Sequence, residues 1–124
     1  MKIILLGKPV SVNALYSRSK HGVFIKKKFA EQKKDWQMTA LAERNKNKIF
    51  APLTGRLDVV ADIFFTNESI ADLDNVCKLA LDSLNKIIWE DDKQIYTLCL
   101  RKYEDKKNPR IEISIYTSGC LQLE

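Results

Sequence analysis

Histidine and cysteine are scarce in this chain, which holds one His and three Cys. The cysteines, Cys77, Cys99 and Cys120, are widely spaced and odd in number. They form no C-x-x-C pair and no zinc pattern with His21. That excludes a disulfide framework and a structural zinc site, and reduced thiols in a cytosolic protein are expected. No apolar run approaches the length of about 18 residues that a spanning helix needs, so no membrane partner is expected. The short apolar run in MKIILLGKPV is too brief for a signal-peptide core and reads as a first β-strand. Glycine (4) and proline (3) are also few, and there is no repeat, low-complexity tract or Pro/Gly-rich linker. Residues 1–124 are therefore expected to form a single domain.

What is present is an ordinary globular balance: 45% hydrophobic and 30% charged residues, with a net charge of +5. The charge is unevenly spread. Arg18, Lys20, Lys26, Lys27, Lys28, Lys33 and Lys34 fall close together, whereas the acidic residues of interest lie between positions 58 and 92. A basic stretch beside an acidic centre suits a polyanion held by one region and cut by another. A lysine-rich helix face that is merely solvated has the same composition.

The patterning predicts the order β-α-β-α-β-β, with helices packed on a mixed sheet, an α/β (α+β) fold. Residues 2–6 read as a strand and Pro9 to about Gly22 as a polar loop, with a short extension over 23–25. A helix is expected from about Lys27 to Lys46, with Phe29, Trp36 and Ala40 on one face. Pro52 and Gly55 precede RLDVVADIFF, where Leu57, Val59, Ala61, Ile63 and Phe65 alternate with Arg56, Asp58, Val60, Asp62 and Phe64. That is the pattern of a half-buried strand, with Asp58 and Asp62 on its solvent side. A second helix is expected over DLDNVCKLALDSLNKII, then strands near Gln94–Tyr103 and Arg110–Tyr116, joined by EDKKNP as a hairpin loop. On the second helix Val76, Leu79, Ala80, Ser83, Leu84 and Ile87 form a stripe that Cys77, Leu81 and Ile88 widen. So wide an apolar arc asks for a second partner besides the sheet, either the first helix or another subunit.

The chemistry is concentrated in Asp72-Leu73-Asp74-Asn75-x-x-Lys78 and Trp89-Glu90-Asp91-Asp92-x-Gln94. Acids at Asp72 and Asp74 could simply cap the helix and complement its dipole. Asp91 and Asp92, just past the end of the expected helix, would instead add to its negative end, an unfavourable place for them. If a helix start and a strand start are neighbours, the carboxylates converge and repel one another unless a cation neutralises them. Hard oxygen ligands of this kind suit Mg²⁺, with Mn²⁺ as a substitute. Such an ion can activate water for in-line phosphodiester displacement. Lys78, about one turn after Asp74, could meet the phosphate; the alternative is an i,i+4 ion pair with Asp74 or Asp82.

D-L-D-N-x-x-K, then Leu81-Asp82-Ser83-Leu84, then W-x-D-D-x-Q resembles the signature of the RusA family of Holliday-junction resolvases. Pro9-x-Ser11-x-Asn13 followed by Tyr16 is similar to the family's N-terminal loop, so the likeness runs from about Pro9 to Tyr103. The resemblance implies a homodimer with one active site per subunit, making paired nicks near the branch point of a four-way junction and leaving ligatable ends. It implies that Asp72, Asp74 and Asp92 are the catalytic metal ligands, that Lys78 is the essential lysine, and that Asp91 is a possible substitute ligand. It also implies a bacterial or phage-encoded cytoplasmic enzyme of DNA recombination and repair. Two departures stand out. Ala71 occupies a position where the family often has a basic residue, and the stretch between Lys86 and Trp89 is a residue shorter than in some members.

Asn13, Tyr16, Arg18, Lys20 and Lys26–Lys28 are the expected DNA-binding residues, because a basic loop can follow a branched backbone without reading sequence. Trp36 and Trp89 are expected in the core or an interface, and His21 on the surface. Two other functions fit the same residues. One is cleavage of other branched DNA such as forks and flaps. The other is a non-cutting DNA-binding protein with a basic surface.

Overall fold

The computed structural model describes residues 1–9, 16–19, 22–66 and 72–117. Strands β1 (Lys2–Leu6), β4 (Leu57–Phe65), β5 (Ile95–Glu104) and β6 (Arg110–Thr117) make one sheet in the order β1-β6-β4-β5. β1 and β4 flank β6 antiparallel, and β5 runs parallel to β4 at the sheet edge. β2 (Tyr16–Ser19) and β3 (Gly22–Ile25) form a separate antiparallel pair. The long helix α1 (Lys27–Lys46) and the shorter α2 (Leu73–Val76) and α3 (Lys78–Leu84) complete the elements. Helices on one face of a mixed sheet is the expected α+β arrangement. No helix among the described residues is long and apolar enough to cross a membrane.

Period-two alternation builds the core. Leu57, Val59, Ala61, Ile63 and Phe65 of β4 meet Ile111, Ile113 and Ile115 of β6 and Ile3 and Leu5 of β1, all closed off from water. Residues directly opposite in a ladder share a face, so these side chains form rows across the sheet. One row runs Leu5, Ile111, Ile63 and Lys102; another runs Ile3, Ile113, Ala61 and Leu100. Trp36 and Ala40 of α1, with Val76, Leu79, Ala80 and Leu84, cover that face. Each large side chain so buried contributes about 1.5–3 kcal/mol. The Trp36 indole is satisfied by donating to the Leu6 carbonyl at 2.7 Å. α3 packs against α1, so the first helix takes up the extra width of the apolar arc.

The structure departs from the sequence reading in four places. The first lies within the expected polar loop, where Tyr16–Ser19 pairs with Gly22–Ile25. β-formers such as Tyr16, Val23, Phe24 and Ile25 outweigh the serines there. Second, EDKKNP is no hairpin loop, because β4 lies between β5 and β6. β4 is apolar on most of both faces and takes the central position, while residues 105–109 cross its end. Asp105 donates its backbone N–H to the Phe65 carbonyl at 2.7 Å, and its carboxylate accepts from the Lys107 and Asn108 N–H groups at 3.1 Å.

Third, the expected second helix is broken at Cys77 and ends at Leu84. Lys86 adopts φ 71°, and its N–H meets the Trp89 carbonyl at 2.7 Å, turning Ile88 and Trp89 into the core. The Arg44 guanidinium holds this turn by donating to the Ile87 carbonyl at 2.9 Å. Fourth, Asp58 is not on a solvent face; it is 2% exposed, with the Arg56 Nε at 3.9 Å. Asp62 is taken up by a two-pronged pair with its cross-strand neighbour Arg101. Both belong to the sheet face away from the helices, where Glu112 also bridges Lys2 and Arg110. Hydrogen bonds, first from Lys2 and then from Arg110, hold the Glu112 carboxyl below the usual range.

Candidate active site

β4 and β5 are parallel, and the chain between them leaves the carboxyl end of β4 and re-enters the described structure at Asp72. Ligands of parallel α/β units characteristically bind at that end of the strands. Asp72 has extended backbone angles (φ −77°, ψ 145°) at the position that would cap α2, yet its side chain makes no capping hydrogen bond. Asp74 is in the first turn, and both acids are exposed. The capping role that composition allowed for Asp72 is therefore not the one it performs. Both residues line a cavity of about 490 Å³, together with Leu73, Leu100 and Lys102.

The acids of the second motif are differently employed. Asp91 caps the 3₁₀ turn Asp92–Gln94: its carboxylate accepts from the Lys93 N–H at 2.9 Å, and its own N–H donates to the Gln94 Oε1 at 2.8 Å. Gln94 then donates to the carbonyls of Leu53 and Gly55, both at 2.9 Å. Trp89 is wholly buried, and its indole N–H donates to the Asp92 Oδ1 at 2.7 Å. W-x-D-D-x-Q is thus a latch that fixes the start of β5 to the 53–55 segment. Because α3 stops at Leu84, Asp91 and Asp92 do not burden its negative end. They open the following turn, where an acid is favourable.

Asp92 precedes β5, whereas Leu100 and Lys102 lie towards its far end. At 3.3 Å per residue the strand between them spans on the order of 20 Å. The structure therefore joins Asp72 and Asp74 and does not bring Asp91 or Asp92 to them. Among the described residues no group of three His, Cys, Asp or Glu could hold a metal ion. The two exposed carboxylates still fit Mg²⁺, which commonly takes one or two protein carboxylates and completes its shell with water and substrate phosphate. Lys78 sits on α3, and its ammonium pairs with Asp82 at 2.9 Å, the i,i+4 alternative.

Lys26, Lys27 and Lys28 are exposed at the N-terminus of α1, where neither a side-chain cap nor an acidic first-turn residue offsets them. Positive charge at the positive end of a helix is unfavourable alone and attracts anions. Tyr16 and Arg18 lie in β2. Asn13, Lys20, His21, Ala71 and Cys120 lie outside the described residues. Cys77 and Cys99 are free, and burial pushes the Cys77 thiol up, away from the reactive thiolate. Sequence reasoning missed Lys102. The signal was available: if Leu98 and Leu100 face the helices, the next residue on that face is a lysine.

The family model for Endodeoxyribonuclease RusA matches residues 7–116. The chain belongs to that family of DNA-cutting enzymes. A comparison with curated proteins gives no match.

Proposed function

We propose that this chain is a Mg²⁺-dependent, junction-resolving endonuclease acting as a homodimer in DNA recombination and repair. The observation that carries this reading is the pair Asp72 and Asp74, two exposed acidic residues that line one cavity. Asp72 and Asp74 would hold the ion, with Mn²⁺ able to replace it. An ion held by them would lower the pKa of the attacking water and offset charge during displacement at phosphorus. Lys26–Lys28, with Arg18 and Lys20 of the preceding segment, hold the DNA backbone. Asn13 and Tyr16 belong to the same binding region. Such contacts position a branched duplex without selecting sequence.

Asp92 is the third carboxylate of the proposed set. The Trp89 indole fixes one of its oxygens and leaves the other to a ligand. Its distance from the cavity along β5 supports a site completed by Asp92 from a second copy of the chain. In this reading dimerisation is a condition of cutting, and paired nicks follow from the two-fold symmetry. Asp91, engaged in capping, is the poorer ligand, and Lys78 reaches a phosphate only by leaving Asp82.

The test is cleavage of a synthetic four-way junction, with linear duplex as control, in Mg²⁺ and in EDTA. Paired nicks near the branch point that need both metal and Asp72 are the expected result. Equal cutting of duplex would remove the junction selectivity, and tight binding without cutting would identify a DNA-binding protein instead.

A further inference from the structure

Among the described residues, Lys102 is the basic one that lines the cavity with Asp72 and Asp74. It ends the cross-sheet row whose other members, Leu5, Ile111 and Ile63, are 0% exposed. It therefore faces the same side of the sheet as the core and emerges at the edge. Edge strands often carry lysines that discourage strand pairing. Such a lysine needs only to reach solvent, whereas Lys102 shares a cavity with two carboxylates and follows Leu100 on the cavity wall. Its ammonium lies 5.2 Å from the centroid of the buried Phe65 ring, a cation–π contact that restrains the side chain on the site's side of the sheet. Lys78 does not line the cavity.

We propose that Lys102 contacts the scissile phosphate, its ammonium donating to a non-bridging oxygen whose charge grows as the attacking water adds. Two carboxylates repel a phosphodiester, and an ammonium in the same cavity offsets that repulsion where negative charge develops. This rests on the nuclease reading above. Lys102 takes no proton and forms no bond to phosphorus.

The experiment is single-turnover cleavage of a four-way junction at saturating protein, comparing the natural chain with Lys102→Met and Lys102→Arg. Junction affinity and thermal midpoint are measured alongside. Removing one such donor is expected to slow cleavage about 10²-fold. Lys102→Met should hold the junction within a few-fold of the natural chain, because Lys26–Lys28 remain, and Lys102→Arg should recover part of the rate. Cleavage by Lys102→Met within two-fold of the natural rate would overturn the proposal and leave the nuclease reading intact. So would a loss matched by lower junction affinity that disappears at saturation, or a Lys102→Arg variant that folds and cuts no better than Lys102→Met. No cutting by the natural chain under any metal condition overturns the nuclease reading, and this proposal with it.

Discussion

The two acidic segments of this chain, 72–78 and 89–94, look alike in composition and are put to opposite uses. In the first, Asp72 stands at a cap position and does not cap, and it lines an open cavity together with Asp74. In the second, Asp91 caps a turn, Gln94 closes the box and clamps the 53–55 segment, and Asp92 accepts from a buried indole. In the proposed function the exposed acids Asp72 and Asp74 carry the chemistry, while Asp91, held by an N–H donor, belongs to the scaffold. Asp92 accepts from the indole through one oxygen, and the proposed function assigns the other to the metal.

Four substitutions sharpen this contrast, beginning with the largest effect. Asp72→Asn should lower the single-turnover cleavage rate by about 10²–10³-fold, the range for removing a group that stabilises charge in the transition state. Its thermal midpoint should barely move, because the side chain is exposed and makes no capping bond. Trp89→Ala should destabilise the fold by about 3–5 kcal/mol, the range for emptying a buried aromatic site. Urea unfolding reads this directly, and a loss below about 1 kcal/mol would contradict its place in the latch. Gln94→Ala removes two donors to the 53–55 carbonyls and one acceptor for Asp91, and should lower stability by about 1–3 kcal/mol in the same assay. Lys78→Met should change stability by no more than about 0.5 kcal/mol, since its pair with Asp82 is exposed and joins i to i+4.

Much of the fold was legible because it rests on periodicity. β1 and α1 match the expected bounds, and the alternation over 57–65 identified the core face correctly. Trp36, Ala40, Val76, Leu79, Ala80 and Leu84 are buried as their helical spacing implies. What could not be read was non-local. Nothing in EDKKNP reveals that β4 lies between the strands it connects, because its turn chemistry is the same for a hairpin and a wider crossing. Nothing in L-N-K-I-I announces a left-handed turn, since Lys86 takes φ 71° without glycine or asparagine. The turn is imposed by the burial of Ile88 and Trp89. The site was half legible: Asp72 and Asp74 do share a cavity, whereas convergence of Asp91 and Asp92 on them assumed that adjacent elements meet at the same end. A parallel β4–β5 pair puts the end of one strand and the start of the next at opposite ends of the sheet. The same topology carries Lys102 into the cavity.

The most direct test of this division sets Asp72→Asn beside Asp91→Ala in one single-turnover assay on a four-way junction. Protein is saturating, Mg²⁺ is present, and the temperature lies below both thermal midpoints. Asp72→Asn should cut at least about 10²-fold more slowly than the natural chain, and Asp91→Ala should keep a near-natural rate despite a stability loss of about 1 kcal/mol from its missing cap. Cutting by Asp72→Asn at a near-natural rate, or a folded Asp91→Ala variant that binds the junction and cannot cleave it, would contradict the assignment of chemistry to Asp72 and scaffolding to Asp91.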